Sequence, residues 1–257
     1  MPVHPTAIVD EKADIHETAD IGPFCIVKAG VKIGKNVKLQ SNVVIEGKTE
    51  IGEGTSIFPF ACIGMPPQDI KYKGEETGLK IGGNNLIREY VTIHRASVSG
   101  DGVTEVGDNC FIMAYSHIAH DCKIGKGVIM ANAATLAGHV SVGDYAIIGG
   151  IVAVHQFTRI GAYAMVGGMS GIGQDIPPYM IASGARAKLF GLNTVGLKRH
   201  GFTDESVSEL KKAYRILFRE KNTLKNAIKK VQEEVPYTGE IQHLLDFINE
   251  KRRGICR

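Results

Sequence analysis

Residues 118–142 read IAHDCKIGKGVIMANAATLAGHVSV, with a large aliphatic side chain or methionine at every sixth position: Ile118, Ile124, Met130, Leu136 and Val142. The same spacing runs through residues 3–63 and 81–93 and, displaced by one position, through residues 106–172. A period of six matches neither an α-helix nor a single strand. It is typical of a solenoid, in which each short repeat turns one aliphatic side chain towards a narrow axis.

The residues between the aliphatic positions are also patterned. Glycine often follows the aliphatic residue, as at Gly125 and Gly143, and a small or β-branched residue stands four places after it, as at Cys122 and Val140. Glycine tolerates turns, and β-branched residues favour extended chain. This pattern resembles the hexapeptide-repeat family, which implies a mainly β fold, a left-handed parallel β-helix of triangular cross-section. Three hexapeptides form one coil, so residues 18 apart are expected to stack on successive coils about 4.8 Å apart.

The repeat predicts a β-helix domain over residues 1–185. The six-residue spacing is interrupted at residues 64–80 and 94–105, and both stretches are expected to be loops that leave a coil. Insertions in solenoids commonly build the binding face.

Residues 186–257 lack the repeat and are predicted to form a C-terminal all-α helical domain that caps the open end of the solenoid. Thr203 is suited to cap a helix that begins with Asp204 and Glu205, and further helices are expected near 223–234 and 239–253. This region holds 16 Lys or Arg against 9 Asp or Glu, although the whole chain has a net charge of only +3. The excess predicts either an acidic partner or a solvated helical face.

The composition argues against several other classes of protein. No apolar run approaches the length of a membrane span, and the N-terminus lacks the basic and apolar blocks of a signal peptide, so we expect a cytoplasmic protein with no transmembrane segment. No nucleic-acid partner is expected. The five cysteines are scattered without a CxxC pair, which favours buried thiols over disulfides or metal ligands.

Four of the nine histidines fall close together on the predicted solenoid. His120, Gly138 and Gln156 are 18 apart and should form one column, with His139 and His155 one residue to either side of it and His117 three residues before it. Such a cluster suits zinc binding by three imidazoles, or general-base catalysis by a neutral histidine, or no chemistry at all if the rings only cover a trimer interface.

Asp121 and Gly138 bear on the second of these three possibilities. Asp121 directly follows His120 and could orient its imidazole, as a carboxylate does in acyl-transfer triads, or it could be an ordinary turn residue. At Gly138, one coil along, the backbone N–H has no side chain in front of it, which is what an oxyanion donor needs.

Six strings, in order and at these spacings, resemble the family of bacterial UDP-N-acetylglucosamine O-acyltransferases: Gln68–Lys71, His117–Cys122, Leu136–Val140, Ala153–Phe157, Gln174–Tyr179 and Gly196–Arg199. The resemblance covers essentially the whole chain. It implies transfer of a (3R)-3-hydroxyacyl group from acyl carrier protein to the 3-hydroxyl of UDP-N-acetylglucosamine, the first step of lipid A biosynthesis. It also implies a homotrimer with sites between subunits. No cofactor is implied, because the acyl chain arrives on the phosphopantetheine of acyl carrier protein. Acyl carrier protein would also be an acidic partner for the basic tail.

The resemblance also implies a role for particular residues. His120 would be the general base, Asp121 would support it, and the Gly138 N–H would hold the oxyanion. Gly168 would govern acyl-chain length, since a glycine leaves room for a long chain. The substrate-binding residues would be His117, His139, His155 and Gln156 in the sugar and acyl pocket, Gln68, Asp69 and Lys71 at the sugar nucleotide or the acyl-carrier arm, and Asn193 and Arg199, from a neighbouring subunit, at the uridine and phosphates.

The main alternative is a zinc-dependent trimer similar to the γ-class carbonic anhydrases, with three histidine ligands at the interface. Asp121 and Gln156 favour an organic substrate over a bare metal, so no metal site is predicted. An N-acyltransferase of the same fold would carry an additional N-terminal nucleotide-binding domain. A scaffold without catalytic activity would need neither the histidine cluster nor the two loops.

Overall fold

The computed structural model describes residues 3–250 and 253–257 and winds residues 8–183 into a left-handed parallel β-helix. Each coil contributes a strand to each of three parallel sheets. Strands of successive coils pair in register, for example His117 with Thr135 and Thr135 with Ala153, so the predicted stacking of every third hexapeptide is confirmed.

The strands are numbered in chain order and described sheet by sheet. Sheet 1 consists of β1 (Ile8–Val9), β4 (Ile26–Val27), β7 (Val44–Ile45), β10 (Cys62–Met65), β13 (Thr92–His94), β16 (His117–Ile118), β19 (Thr135–Leu136), β22 (Ala153–Val154) and β25 (Gly171–Ile172). Sheet 2 consists of β2 (Asp14–Ile15), β5 (Lys32–Ile33), β8 (Lys48–Ile51), β11 (Gly78–Ile81), β14 (Val103–Val106), β17 (Lys123–Ile124), β20 (Ser141–Val142) and β23 (Arg159–Ile160). Sheet 3 consists of β3 (Asp20–Ile21), β6 (Lys38–Leu39), β9 (Ser56–Ile57), β12 (Leu86–Ile87), β15 (Phe111–Ile112), β18 (Ile129–Met130), β21 (Ile147–Ile148), β24 (Met165–Val166), β26 (Met180–Ser183) and β27 (Lys188–Leu192).

The aliphatic residue of each hexapeptide forms the core. Ile63, Ile93, Ile118 and Leu136 are fully buried and follow one another up the axis behind sheet 1. Burying one such side chain contributes about 1.5–3 kcal/mol. The small residue four places on, such as Cys122, is buried as well, because the narrow corner has no space for a larger side chain.

Three corners separate the sheets, and each is named here after the two sheets it joins. Residues 120–121 and 138–139 lie on the 1–2 corner, residues 144–145 and 162–163 on the 2–3 corner, and residues 150–151 and 168–169 on the 3–1 corner.

Both insertions replace a turn of the 1–2 corner, on two successive coils. The first runs from the end of β10 to the start of β11, and the second from the end of β13 to the start of β14. The excursions are shorter than the sequence predicts, residues 66–77 and 95–102, because the flanking residues join the sheets. Gly78 pairs with both Lys48 and Val103, so β11 begins before the aliphatic pattern resumes.

The C-terminal region begins with a strand rather than a helix. β27 pairs antiparallel with β26 and covers the end of sheet 3 with Leu189 and Leu192, both buried. The prediction that residues 186–257 are entirely α-helical is therefore wrong for residues 188–192.

The helices follow this hairpin as α1 (Thr194–Arg199), α2 (Asp204–Tyr214), a π-helical turn (Arg215–Arg219), α3 (Leu224–Glu234) and α4 (Gly239–Asn249). Thr203 caps α2 as predicted, because its side chain accepts a hydrogen bond from the backbone N–H of Ser206. Residues 251–252, inside the helix expected to end at 253, lie outside the described residues. Among those that are described, no helix is long and apolar enough to cross a membrane.

A buried ion pair joins the helical region to the solenoid. The Arg159 guanidinium, on β23, contacts Asp175 Oδ2 at 2.8 Å, and it also reaches Glu250 Oε2 at 2.7 Å and the carbonyls of Phe247 and Glu250. The Arg159 and Asp175 side chains are 7% and 0% exposed. The guanidinium also lies over the Phe247 ring, 4.1 Å from its centroid. One side chain of the last full coil therefore fixes α4 in place.

Replacing Arg159 with alanine is expected to destabilise the fold strongly. The change leaves the Asp175 carboxylate buried without its cation, which typically costs about 3–5 kcal/mol. Urea unfolding of the two proteins measures the difference. The matched control is Lys229→Ala, which removes an exposed pair with Glu233 and should cost about 0–1 kcal/mol. Equal stabilities for the Arg159 and Lys229 variants would contradict a structural role for the buried pair.

Candidate active site

The predicted histidine column lies on the 1–2 corner, on the coils that follow the two insertions. The His139 N–H donates to the His120 carbonyl at 3.0 Å, and the Phe157 N–H donates to the Gly138 carbonyl at 3.1 Å. These bonds hold consecutive corners in register. Asp121, His139 and Phe157, the second corner residue on each coil, all have φ near +60°. This left-handed conformation is costly for residues other than glycine, so the packing of neighbouring coils must enforce it.

His120 and Asp121 form a hydrogen-bonded pair. His120 Nδ1 lies 2.8 Å from Asp121 Oδ2, and the Asp121 side chain is only 3% exposed. Burial acts to raise the pKa of Asp121, but the hydrogen bonds from His120 and Ser97 outweigh it and hold the pKa below its ordinary value. An ionised carboxylate is only an acceptor, so Nδ1 carries the proton, and Nε2 of the neutral imidazole keeps its lone pair. That nitrogen can accept a proton from a substrate hydroxyl.

The absence of a side chain at Gly138 leaves space for the His120 imidazole. A Cβ at position 138 would lie 2.6 Å from His120 Cε1 and 2.8 Å from Nε2, closer than van der Waals contact allows. Any side chain there would displace the ring. Within the described chain the Gly138 N–H makes no backbone hydrogen bond, so it can serve as a donor to a ligand. The same glycine thus admits the imidazole and presents an N–H next to it.

His139 borders the pair from the next coil. Its ring stacks on Phe157, with centroids 4.5 Å apart, and meets His120 edge to face at 5.3 Å. His139 Nε2 is 3.7 Å from Asp121 Oδ2. Burial lowers the pKa of His139 even though the charges of Asp121 and Asp69 act to raise it. His139 therefore forms one wall of the site and favours the neutral form.

His94 belongs to the same cluster, although sequence analysis missed it. It is 4% exposed, and its ring meets His117 edge to face at 4.9 Å. His117 Nδ1 in turn lies 2.7 Å from Thr92 Oγ1. Burial, followed by the charge of His120, lowers the pKa of His117. The insertion at 95–102 adds residues between two paired strands, so Thr92 pairs with His117 rather than with the residue 18 positions later. The regular 18-residue spacing therefore does not predict that His94 lies beside His117.

The first insertion supplies the three other candidates near this corner. Gln68 and Lys71 are exposed, and Asp69 is half-buried and accepts a hydrogen bond from the Lys71 N–H at 2.9 Å. Asp69 is close enough to His139 to affect its pKa. The loop therefore stands beside the histidine cluster. Its side chains make no direct hydrogen bond to the cluster within the described chain.

The remaining candidates lie farther away on the single chain. His155 and Gln156 are exposed on the next coil up, where the Arg253 guanidinium donates to the Gln156 carbonyl at 3.1 Å. Gly168 lies on the 3–1 corner, at the opposite edge of sheet 1 from His120.

Asn193 and Arg199 lie at the 2–3 corner. Asn193 is buried, where its side chain accepts a hydrogen bond from the Gly196 N–H and donates one to the Tyr163 carbonyl, so both ends of its amide are used within the chain. Arg199 is exposed at the end of α1, next to His200, whose ring packs on Tyr145 at 4.8 Å.

A metal ion is a poor fit for the contact between His120 and Asp121. His120, Asp121 and His139 bring donor atoms within 4.8 Å of one another. Two ligands of one tetrahedral zinc lie about 3.3 Å apart, given bond lengths of about 2.0–2.1 Å. The 2.8 Å separation of Nδ1 from Oδ2 is instead that of a hydrogen bond. The donor set also has two imidazoles and a carboxylate rather than three imidazoles.

Comparison with known proteins agrees with this geometry. Residues 12–47 and 104–138 match the model of the bacterial transferase hexapeptide repeat, and residues 175–256 match the model described as UDP-N-acetylglucosamine O-acyltransferase, domain 2. A relative from Thermodesulfovibrio yellowstonii, named acyl-(acyl-carrier-protein)–UDP-N-acetylglucosamine O-acyltransferase, is 66% identical and is covered over 99% of each chain. One of the same name from Syntrophobacter fumaroxidans is 49% identical over the full length of both chains.

Solved structures match equally well over the whole fold. The UDP-N-acetylglucosamine O-acyltransferase from Moraxella catarrhalis superposes with a TM-score of 0.97 at 44% identity and is covered over 100% of each chain. The enzyme from Bacteroides fragilis gives a TM-score of 0.96 at 42% identity, with coverage of 99% of this chain and 100% of that one. A hexapeptide-repeat β-helix with a histidine–aspartate pair at one corner defines the class, an acyltransferase. Within that class, this chain belongs to the UDP-N-acetylglucosamine O-acyltransferase family.

His94 is expected to remain uncharged down to low pH. Burial, together with the positive charges that His117 and His120 acquire on protonation, lowers the pKa of His94 to about 4. Because the unfolded chain binds this proton near pH 6.5, stability falls as the pH drops from about 6.5 to about 4. The total loss is about 3 kcal/mol, of which about 2 kcal/mol falls between pH 7.5 and pH 5.

Two measurements test this expectation. An NMR titration should show no protonation of His94 above about pH 5, whereas titration near pH 6.5 would contradict the assignment. Urea unfolding at pH 7.5 and pH 5 should show a smaller loss of stability in His94→Leu than in the parent chain.

Proposed function

We propose that this protein transfers a (3R)-3-hydroxyacyl group from acyl carrier protein to the 3-hydroxyl of UDP-N-acetylglucosamine, the first step of lipid A biosynthesis. The observation that carries the proposal is the His120–Asp121 pair, whose free Nε2 stands beside an available Gly138 N–H. The names of the curated relatives support the donor and acceptor, an acyl group on acyl carrier protein and the nucleotide sugar.

In the proposed reaction, His120 Nε2 removes the proton of the sugar 3-hydroxyl as that oxygen attacks the thioester carbonyl. The carbon–oxygen bond forms, and the charge that develops on the carbonyl oxygen is stabilised by the Gly138 N–H. The tetrahedral intermediate then collapses, the carbon–sulfur bond breaks, and the imidazolium returns its proton to the phosphopantetheine sulfur. Asp121 stabilises the imidazolium throughout and keeps Nδ1 protonated. The step needs neither a metal nor a cofactor bound by this protein.

We propose that the functional unit is a homotrimer with its sites between subunits. Three kinds of candidate lie at three different corners of one chain: His120 at the 1–2 corner, Gly168 at the 3–1 corner, and Arg199 next to the 2–3 corner through its neighbour His200. A single triangular solenoid cannot turn these corners towards each other. Three copies around a common axis can, since a heterologous interface brings one corner of a subunit against a different face of the next.

The remaining substrate contacts follow from this arrangement. We propose that Gln68, Asp69 and Lys71 contact the sugar nucleotide or the acyl-carrier arm, and that His117, His139, His155 and Gln156 line the pocket. Arg199 of a neighbouring copy is proposed to hold the uridine and phosphates, while Asn193, whose amide is bonded within its own chain, caps α1 and holds its start in place. Gly168, exposed and without a side chain, would leave room for a long acyl chain.

Acyl carrier protein is proposed to dock on the basic face of the helical region. Lys211 is exposed and available to an acidic partner, and Arg215 is exposed as well, with its Nε 3.8 Å from Glu220 Oε1. Arg219 is less so, because its guanidinium donates to the carbonyls of Leu189 and Phe190 and lies over the Tyr214 ring. We also propose a cytoplasmic location, since an acyl carrier protein and a nucleotide sugar meet there.

Replacing His120 with alanine is expected to lower the rate of transfer by about 10²–10⁴-fold, the usual contribution of general-base catalysis. Initial rates with 3-hydroxyacyl carrier proteins of several chain lengths and UDP-N-acetylglucosamine measure the effect, with mass spectrometry of the product. The control is His16→Ala, an exposed histidine far down the solenoid. Retention of most activity by His120→Ala would refute the mechanism. Stoichiometric zinc, lost together with activity on chelation, would favour the carbonic-anhydrase-like alternative.

Mixed trimers test whether His120 and Arg199 of different subunits meet. Chains with His120→Ala and chains with Arg199→Ala should each be nearly inactive alone. Co-assembled in equal amounts, they should regain about a quarter of the parent activity, because that fraction of interfaces pairs an intact His120 with an intact Arg199. No recovery in co-assembled trimers, with size and composition verified by native mass spectrometry, would mean that the two residues do not act in one inter-subunit site.

A further inference from the structure

The second insertion contacts the carboxylate of the proposed catalytic pair. Ser97 donates two hydrogen bonds to Asp121 Oδ2, from its backbone N–H at 3.1 Å and from its hydroxyl at 2.7 Å. This is the same oxygen that receives His120 Nδ1 at 2.8 Å. Ser97 is buried, at 3% exposure. A residue of an inserted loop is therefore part of the hydrogen-bond network of the pair.

The direction of these bonds is fixed by chemistry. An ionised carboxylate can only accept, so the Ser97 hydroxyl proton points to Asp121. Ser99 Oγ, 2.7 Å from Ser97 Oγ, must then be the donor in that contact. The result is a chain of donors that runs from Ser99 through Ser97 to Asp121 and meets the proton of His120 from the other side. Three donors thus converge on Oδ2, which favours one orientation of the carboxylate.

Gly100 confines the other carboxylate oxygen by contact. A Cβ at position 100 would lie 2.3 Å from Asp121 Oδ1 and 2.7 Å from its Cγ. Oδ1 is buried and has no hydrogen-bond partner among the described residues. The carboxylate therefore has hydrogen bonds on one oxygen and close backbone packing on the other. Gly100 has no positive φ that would require glycine there, so this contact is the reason its side chain must be absent.

The loop is itself held firmly from behind. The Ala96 N–H donates to the Gly78 carbonyl at 3.1 Å, and the Thr77 hydroxyl donates to the Ala96 carbonyl. Next to it, the Arg95 guanidinium binds the Gly64 carbonyl at 2.7 Å and the Tyr72 hydroxyl of the first insertion. The base of the second loop is thus fixed to the sheets and to the first loop, and Ser97 is presented in a defined position.

We propose that Ser97 and Gly100 are positioning residues, which hold Asp121 in the orientation that aligns the His120 imidazole. The inference rests on the proposed function of His120 as general base. It gives the second insertion a specific task, that of a clamp on the catalytic carboxylate rather than a surface for substrate.

A double-mutant cycle separates positioning from general structural support. In the parent chain, Ser97→Ala should lower kcat about tenfold and leave both Michaelis constants nearly unchanged, the effect of one lost hydrogen bond to a charged group. In the Asp121→Ala background the same change should alter kcat by less than about twofold, because the group that Ser97 acts on is gone. Ser97→Thr, which keeps the hydroxyl, should restore most of the rate, and Ser141→Ala in β20 is the control. Equal losses in both backgrounds would overturn the proposal.

Gly100→Ala gives a second test that does not depend on activity. A crystal structure of this variant should show Asp121 Oδ2 moved out of hydrogen-bond distance from His120 Nδ1, whereas Gly191→Ala, where an added Cβ meets no atom within 4 Å, should leave the pair unchanged. An intact pair in Gly100→Ala would overturn the clamp whether or not the parent chain transfers acyl groups. A parent chain that fails to transfer any acyl group would instead count against the proposed function alone.

Discussion

The in-register pairing of parallel strands, coil upon coil, is the constraint on which the rest of the molecule depends. Each coil is too short to be stable alone, since its strands are mostly very short and its core holds one aliphatic side chain per face. Stacking supplies what the single coil lacks, because every coil pairs its backbone with the next and buries its Ile, Leu or Val against the one below. The same bonds stack the corners, so the pairing of the coils determines which residues lie directly above and below a corner residue such as His120.

That constraint explains why so much could be predicted from the sequence. The six-residue spacing that includes Ile118 and Leu136 was sufficient to predict the solenoid. Because three such repeats make one coil, the same spacing placed His120 under Gly138. Where the spacing breaks, prediction fails for a physical reason. His94 and Ser97 lie at the second insertion, where the paired strands are separated by more than one regular coil of sequence. The regular period therefore could not place His94 beside His117 or Ser97 beside Asp121. Arg159 looks like any polar residue of a repeat, because its partners Asp175 and Glu250 come from segments that have no period.

The corner that holds the candidate site departs most from the regular repeat. Both insertions leave from it. Its left-handed positions carry side chains at Asp121, His139 and Phe157, as the other corners do at Tyr145 and Ile151. A conformation of this kind costs about 1–2 kcal/mol for each residue and persists only where packing enforces it. The solenoid provides that packing on both sides. The regular part of the fold thus supports the buried and charged groups beside the two insertions, which a shallow surface site could not do.

The triangular coil also limits how the length of such a protein can change during evolution. Loss or gain of one complete coil below the insertions changes the length of the rod by one layer and leaves every later side chain on its own face. Loss of a single hexapeptide rotates all that follows by a third of a turn, so that His120 would lie on the 3–1 corner, where Gly168 now lies. Whole coils are therefore the natural unit of length change in such a protein, whereas single hexapeptides can vary only beyond the last residue that the site requires.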